Sequence, residues 1–163
     1  MGYIHYFPQE RDFTVNEWSL ILEAFQKILD SEVGKLVAFG SDAELVCHDD
    51  IPPLADENEI RFNGIGENRH DNFIVRRVVQ QPMKFKFCKT VMKDYDIVVC
   101  MLLIAIHDIA PDVLLIGSDG KWDNERDGWI KARRLYLQIF EKPAVCPIAP
   151  EEKSDAYFDA RYP

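Results

Sequence analysis

Apolar and polar positions alternate along this chain with two periods, and the two periods divide it into strands and helices. Tyr3 to Phe7 is short, aromatic and ended by Pro8, which predicts a first strand. Thr14-Val15-Asn16-Glu17 then matches a capping box, with Phe13 and Trp18 at the two staple positions. The helix predicted from there to about Ser31 places Trp18, Ile21, Leu22, Phe25, Ile28 and Leu29 on one stripe, with Glu23 and Lys27 as an i,i+4 pair on the polar side. That stripe reads as core packing in preference to a partner-binding face.

Lys35–Phe39 and Glu44–Cys47 read as a hairpin turned by Gly40-Ser41-Asp42. An acidic loop with Pro52 and Pro53 follows over residues 48–59. Glu59–Asn63 and Phe73–Arg77 form a second strand pair around the loop from Gly64 to Asp71. Lys84–Lys89 alternates lysine with phenylalanine or cysteine, as a strand with one buried and one charged face does. Residues 95–110 contain the longest apolar run, Ile97 to Ile106, and fit a buried helix that Asp94 or Asp96 caps and Pro111 ends. Val113–Ile116 reads as a core strand and Ser118-Asp119-Gly120 as a turn. A last amphipathic helix starts at Glu125 or Asp127. It buries Trp129, Ile130, Leu135, Tyr136, Ile139 and Phe140, turns Arg133 and Arg134 to solvent, and stops before Pro143.

This order predicts one compact domain over residues 1–146, of the α+β or α/β class, with a mixed sheet and about three helices. Residues 147–163 form an acidic tail carrying Tyr157, Phe158 and Tyr162. The tail either lies in solvent or straps over the domain by those rings.

Composition narrows the function classes. At 163 residues the chain has the size of one domain. The ten-residue apolar run is half of what a spanning helix needs, about 20 residues. Residues 1–10 lack a basic stretch followed by an apolar one, so no signal peptide is expected and the expected compartment is the cytoplasm. Cys47, Cys88, Cys100 and Cys146 form no CxxC pair, and reduced thiols are expected, with Cys100 a small hydrophobe within the apolar run. The net charge of −9 disfavours direct binding to phosphate backbones and favours a protein partner with a basic surface. Gathering Lys84, Lys86, Lys89, Arg76 and Arg77 into a nucleic-acid face would leave Phe85 and Phe87 on the opposite side, unable to stack bases beside them.

Candidate chemistry lies at predicted strand ends. Glu67, His70 and Asp71 are possible metal ligands. His70 is also a possible base toward Cys88, with an acid orienting the ring. Lys89 suits an anionic substrate, and Ser118-Asp119 falls in the same class of loop. His48-Asp49-Asp50 is a weaker metal candidate, and Gly64-Ile65-Gly66 lacks the third glycine of a nucleotide fingerprint. Plainer roles compete at each position. Cys88 packs among phenylalanines, His70 holds a loop, His107 meets a helix C-terminus, and Ser118-Asp119-Gly120 is a hydrogen-bonded turn.

Phe62-Asn63-Gly64, His70, Phe87-Cys88-Lys89-Thr90, Tyr95-Asp96, Ser118-Asp119-Gly120 and Trp129 resemble segments of a family of small uncharacterised proteins from bacteria and their phages. The resemblance covers about residues 3–141 and omits the tail. It implies a stand-alone accessory protein, associated with a mobile element and acting on a host protein, and it carries over no site role and no cofactor. The resulting expectation is a noncatalytic protein-interaction module without a cofactor, monomer or homodimer. The alternative is a small metal-dependent or Cys/His hydrolase using the His70 loop.

Overall fold

The computed structural model describes residues 3–41, 49–80, 86–126, 128–153 and 155–156. The elements run β1 (Ile4–Tyr6), α1 (Val15–Leu29), β2 (Val37–Ala38), β3 (Leu54–Ala55), β4 (Glu59–Gly64), β5 (Phe73–Arg76), β6 (Phe87–Lys89), α2 (Asp96–Ile109), β7 (Gly117–Ser118) and α3 (Gly128–Phe140). Two 3-10 turns cover Glu32–Leu36 and Gly66–Asn68. The fold agrees with the expected α+β or α/β class, with antiparallel ladders and, among the described residues, a short helical stretch from Glu151 besides α1, α2 and α3. Its one parallel pairing among the described residues is the bridge Ile116↔Ile148.

The strands split into two sheets. One has the order β6-β1-β7, with the first strand at its centre. The other is β2-β4-β3, with β5 also pairing β4. A chain of rings joins α1 to both sheets: Phe25–Phe62 at 5.4 Å, Phe62–Phe73 at 5.0 Å and Phe73–Phe7 at 5.0 Å between centroids.

α1 starts where the capping box places it. Thr14 Oγ1 accepts Glu17 N–H at 3.0 Å, and Glu17 Oε1 accepts Thr14 N–H at 2.8 Å. Its inner stripe is Trp18, Ile21, Ala24, Phe25 and Ile28. α2 is apolar on every side and buried from Val98 through Ile106, which is what a helix between two other helices and a sheet requires. It packs against α1 and α3.

Several expectations are corrected. Lys35 and Leu36 belong to a 3-10 turn, and β2 pairs with β4; residues 44–47 lie outside the described residues, as does Asp127. Val113–Ile116 is buried, but only Leu114 and Ile116 bridge, to Gln9 and Ile148. No side chain caps α2. Arg133 lies on the Trp122 ring, 4.4 Å from its centroid, instead of facing solvent. In β6 the exposed residue is Phe87 and the buried one Cys88, while Lys86 turns inward to donate to Gln9 Oε1 at 2.9 Å. Alternation fixes which residues share a face; the partner strand decides which face is inside. At the other end of the chain, Pro147 is buried and Ala149 N–H donates to Ile116 O at 2.8 Å.

Candidate functional site

The residues singled out in the sequence do meet, but mostly as main-chain clips. His70 Nδ1 lies 2.7 Å from Lys89 O; a carbonyl only accepts, so Nδ1 carries the ring proton. Asp71 Oδ2 accepts Lys89 N–H at 3.0 Å, and Asp71 N–H donates to Lys89 O at 3.2 Å. Together they cover the outer edge of β6. Cys88 is fully buried, with its thiol 3.6 Å from Asp71 O, and burial pushes that thiol far above the ordinary range. Such a sulfur stays protonated and is a poor nucleophile. No hydrogen bond among the described residues joins His70 to Cys88.

Asp119 lies on the opposite side of β1, where its Oδ2 accepts Ile4 N–H at 3.0 Å. Glu67 is exposed in the 3-10 turn, after Gly66 whose φ is +57°. Asp49 accepts Gly66 N–H at 3.1 Å and pairs with Arg69, which fixes the loop; His48 is outside the described residues. Thus the His70 region is a structural knot, and Asp119 is not part of it.

A different constellation lies beneath the central strand. His5, Asp96 and Cys100 are buried, and each offers a ligand-type atom to the same small volume. His5 Nε2 is 2.6 Å from Asp96 Oδ1. Cys100 Sγ is 3.7 Å from His5 Nε2 and 3.7 Å from Asp96 Oδ2. Thr90 Oγ1 donates to Asp96 Oδ1 at 2.6 Å. The local structure explains the meeting. Asp96 and Cys100 stand at i and i+4 on α2, hence on one helix face. His5 is the inward residue of β1, opposite both Cys88 and Ser118.

The network continues to the surface. Ser118 Oγ lies 2.8 Å from His5 Nδ1 and accepts both Gly120 N–H at 2.9 Å and Trp129 Nε1–H at 3.0 Å. A hydroxyl has two lone pairs, and these donors fill them. The Ser118 proton therefore goes to His5 Nδ1. Neutral His5 then carries its own proton on Nε2 and gives it to Asp96. Proton direction is fixed along the chain Ser118, His5, Asp96. Tyr3 and Trp129 hold the imidazole edge-on, at 5.2 and 5.3 Å between centroids.

Gly128, the first residue of α3, leaves the room that Asp96 occupies. A Cβ there would lie 2.2 Å from Asp96 Oδ2 and 3.7 Å from Cys100 Sγ. In the sequence Asp96 is one of two cap candidates beside Asp94, Cys100 reads as a hydrophobe, and nothing local marks His5. The available signal was two polar residues four apart at the edge of an apolar helix. Their partner is 91 residues upstream, which no local pattern reveals.

Compared with protein-family models, with curated proteins and with solved structures, the chain finds no match.

Proposed function

We propose that the protein is a small metal-dependent hydrolase whose centre is a zinc-class divalent cation held by His5, Asp96 and Cys100. The observation that supports this most is the convergence of imidazole, carboxylate and thiol donors within one buried volume. Imidazole, thiolate and carboxylate form a ligand set suited to zinc, and two anionic ligands neutralise a dication. Ligands about 2.0–2.3 Å from a tetrahedral ion lie about 3.3–3.7 Å apart. Cys100 has that separation from both partners, and His5 and Asp96 must part by under about 1 Å. Binding at Nε2 displaces the proton given to Asp96, so the His5 proton must move to Nδ1 and Ser118 must give up one of its accepted bonds; each such loss costs about 1–3 kcal/mol, to be set against the roughly 10–16 kcal/mol of a structural zinc site. Three protein ligands leave a fourth position, as catalytic sites require.

Cobalt titration tests this reading. A thiolate-to-cobalt absorption band at one ion per chain is expected, lost in Cys100→Ser, together with zinc-dependent hydrolysis of activated esters. Absence of stoichiometric metal in the purified protein and of the cobalt band rejects the metal centre.

A second reading rests on the proton direction alone. Ser118–His5–Asp96 has the donor order of a hydrolytic triad, serine to histidine to aspartate, with the two ring nitrogens exchanged: Nδ1 faces the serine and Nε2 the aspartate. Attack by Ser118 requires one of its two accepted bonds, from Gly120 or Trp129, to open. Here Ser118 reacts with a fluorophosphonate, Cys100→Ser retains that reaction, and His5→Ala abolishes it. No adduct at Ser118 rejects the triad.

A further inference from the structure

The β6-β1-β7 sheet has one edge that the chain covers over only part of its length. In the β1–β7 ladder, Leu115 N–H donates to Pro8 O and Asp119 N–H to Ile4 O. His5 stands opposite Ser118, and Tyr6 opposite Gly117. Antiparallel ladders alternate bonded and non-bonded pairs. Residues 115, 117 and 119 therefore turn their peptide groups toward β1, and residues 116 and 118 turn theirs outward. Ile116 follows this rule, since its outward carbonyl accepts Ala149 N–H at 2.8 Å.

Beyond that bond the covering segment departs. Pro150 has no N–H to offer, and a helical turn begins at Glu151. The outward main-chain N–H and C=O of Ser118 are left without a hydrogen-bond partner among the described residues. They face a cleft of about 380 Å³ lined by Tyr6, Gly117, Ser118, Lys121, Glu151 and Asp155.

We propose that this edge docks an extended peptide segment carrying a basic side chain, taken up as one more strand beside β7. The outward N–H and C=O supply the main-chain recognition that strand addition uses. The charged wall supplies the selectivity. Glu151 and Asp155 outnumber Lys121, and the whole chain carries a net charge of −9, so a lysine or arginine side chain is drawn in and an acidic one repelled. The cleft lies within the size range of built ligand sites, about 300–1,000 Å³. The two-residue strand keeps the edge too short for indiscriminate strand pairing. Ser118 serves this edge with its peptide group while its side chain faces His5, so docking is independent of whether a metal is held.

The test is amide NMR of the full chain titrated with a short alternating lysine–valine peptide, its glutamate–valine counterpart, and the lysine peptide N-methylated along its backbone. The Ser118 amide is expected to exchange fast in the free protein. It should shift and gain protection on adding the lysine peptide. N-methylation and the Glu151→Lys/Asp155→Lys double substitution should each weaken binding by about tenfold or more. Three results overturn the proposal: equal binding of the N-methylated peptide, shifts that bypass residues 116–118, or no binding up to millimolar peptide. A Ser118 amide already protected in the free protein also overturns it, because the edge is then covered by the chain's own remaining residues or by a second copy.

Discussion

Gly128→Ala carries the sharpest consequence of the buried network, because local propensity and tertiary packing give it opposite signs. Replacing glycine by alanine within a helix is favourable by at most about 1 kcal/mol. Here the new Cβ would lie 2.2 Å from Asp96 Oδ2, where ordinary contact begins at 3.4 Å. The obstacle is no free side-chain end, since Asp96 Oδ1 is held at 2.6 Å by both His5 and Thr90. The carboxylate must move by roughly 1 Å, enough to break or badly strain one of those bonds. A hydrogen bond to a charged group contributes about 1.5–3 kcal/mol. The net expectation is a loss of about 1–2 kcal/mol. In urea unfolding followed by circular dichroism, this lowers the midpoint by about 0.5–1 M. In an Asp96→Ala background the obstacle is absent, so the same substitution should be neutral or mildly stabilising, giving a coupling energy of about 2 kcal/mol. A midpoint that does not fall in the wild-type background, or an equal effect in both backgrounds, refutes the reasoning.

Other expectations test neighbouring parts of the structure. Ser118→Ala removes the proton given to His5 Nδ1 and the acceptor of Trp129 Nε1; a loss of about 2–4 kcal/mol and a shifted Trp129 emission are expected, read by denaturation and fluorescence. Glu17 is held down to a pKa of about 2, from 4.5, chiefly by its bond to Arg11 and then by the Thr14 amide. Because the folded value is depressed, its stabilisation is present above pH 4.5 and is lost as the pH falls toward 2. Glu17→Gln should therefore flatten the acid limb of the stability curve in that window, and an unchanged limb counts against the capping assignment. In native protein treated with iodoacetamide and mapped by mass spectrometry, exposed Cys146 should be alkylated, while buried Cys88 should react only after unfolding.

The parts of the fold legible in the sequence are those written in local chemistry. The α1 start follows from four consecutive residues, and α2 from an apolar run too long for a strand. Strand faces were less legible: Lys86 and Cys88 share a face by alternation, yet that this face turns inward depends on β1. The candidate site was hardest to read. His70, Asp71, Cys88 and Lys89 were selected for their chemistry, and the fold uses them to fasten a strand edge. His5, Asp96 and Cys100 looked ordinary one by one, since their significance lies in a strand at one end of the chain meeting a helix in its second half.

The central position of β1 also governs when the molecule can be completed. β1 is flanked by residues 87–89 and 117–118, all made after it, and its histidine is fixed through Ser118 to Trp129. A nascent chain emerges at about 5–20 residues per second, so β1 waits several seconds for its neighbours. Until then its paired edges are open, and every contact that closes them spans a long loop. Assembly of the His5 network is thus a late event, reached only after α3 has been made, and a chain cut short before Trp129 lacks the final anchor of its own first strand.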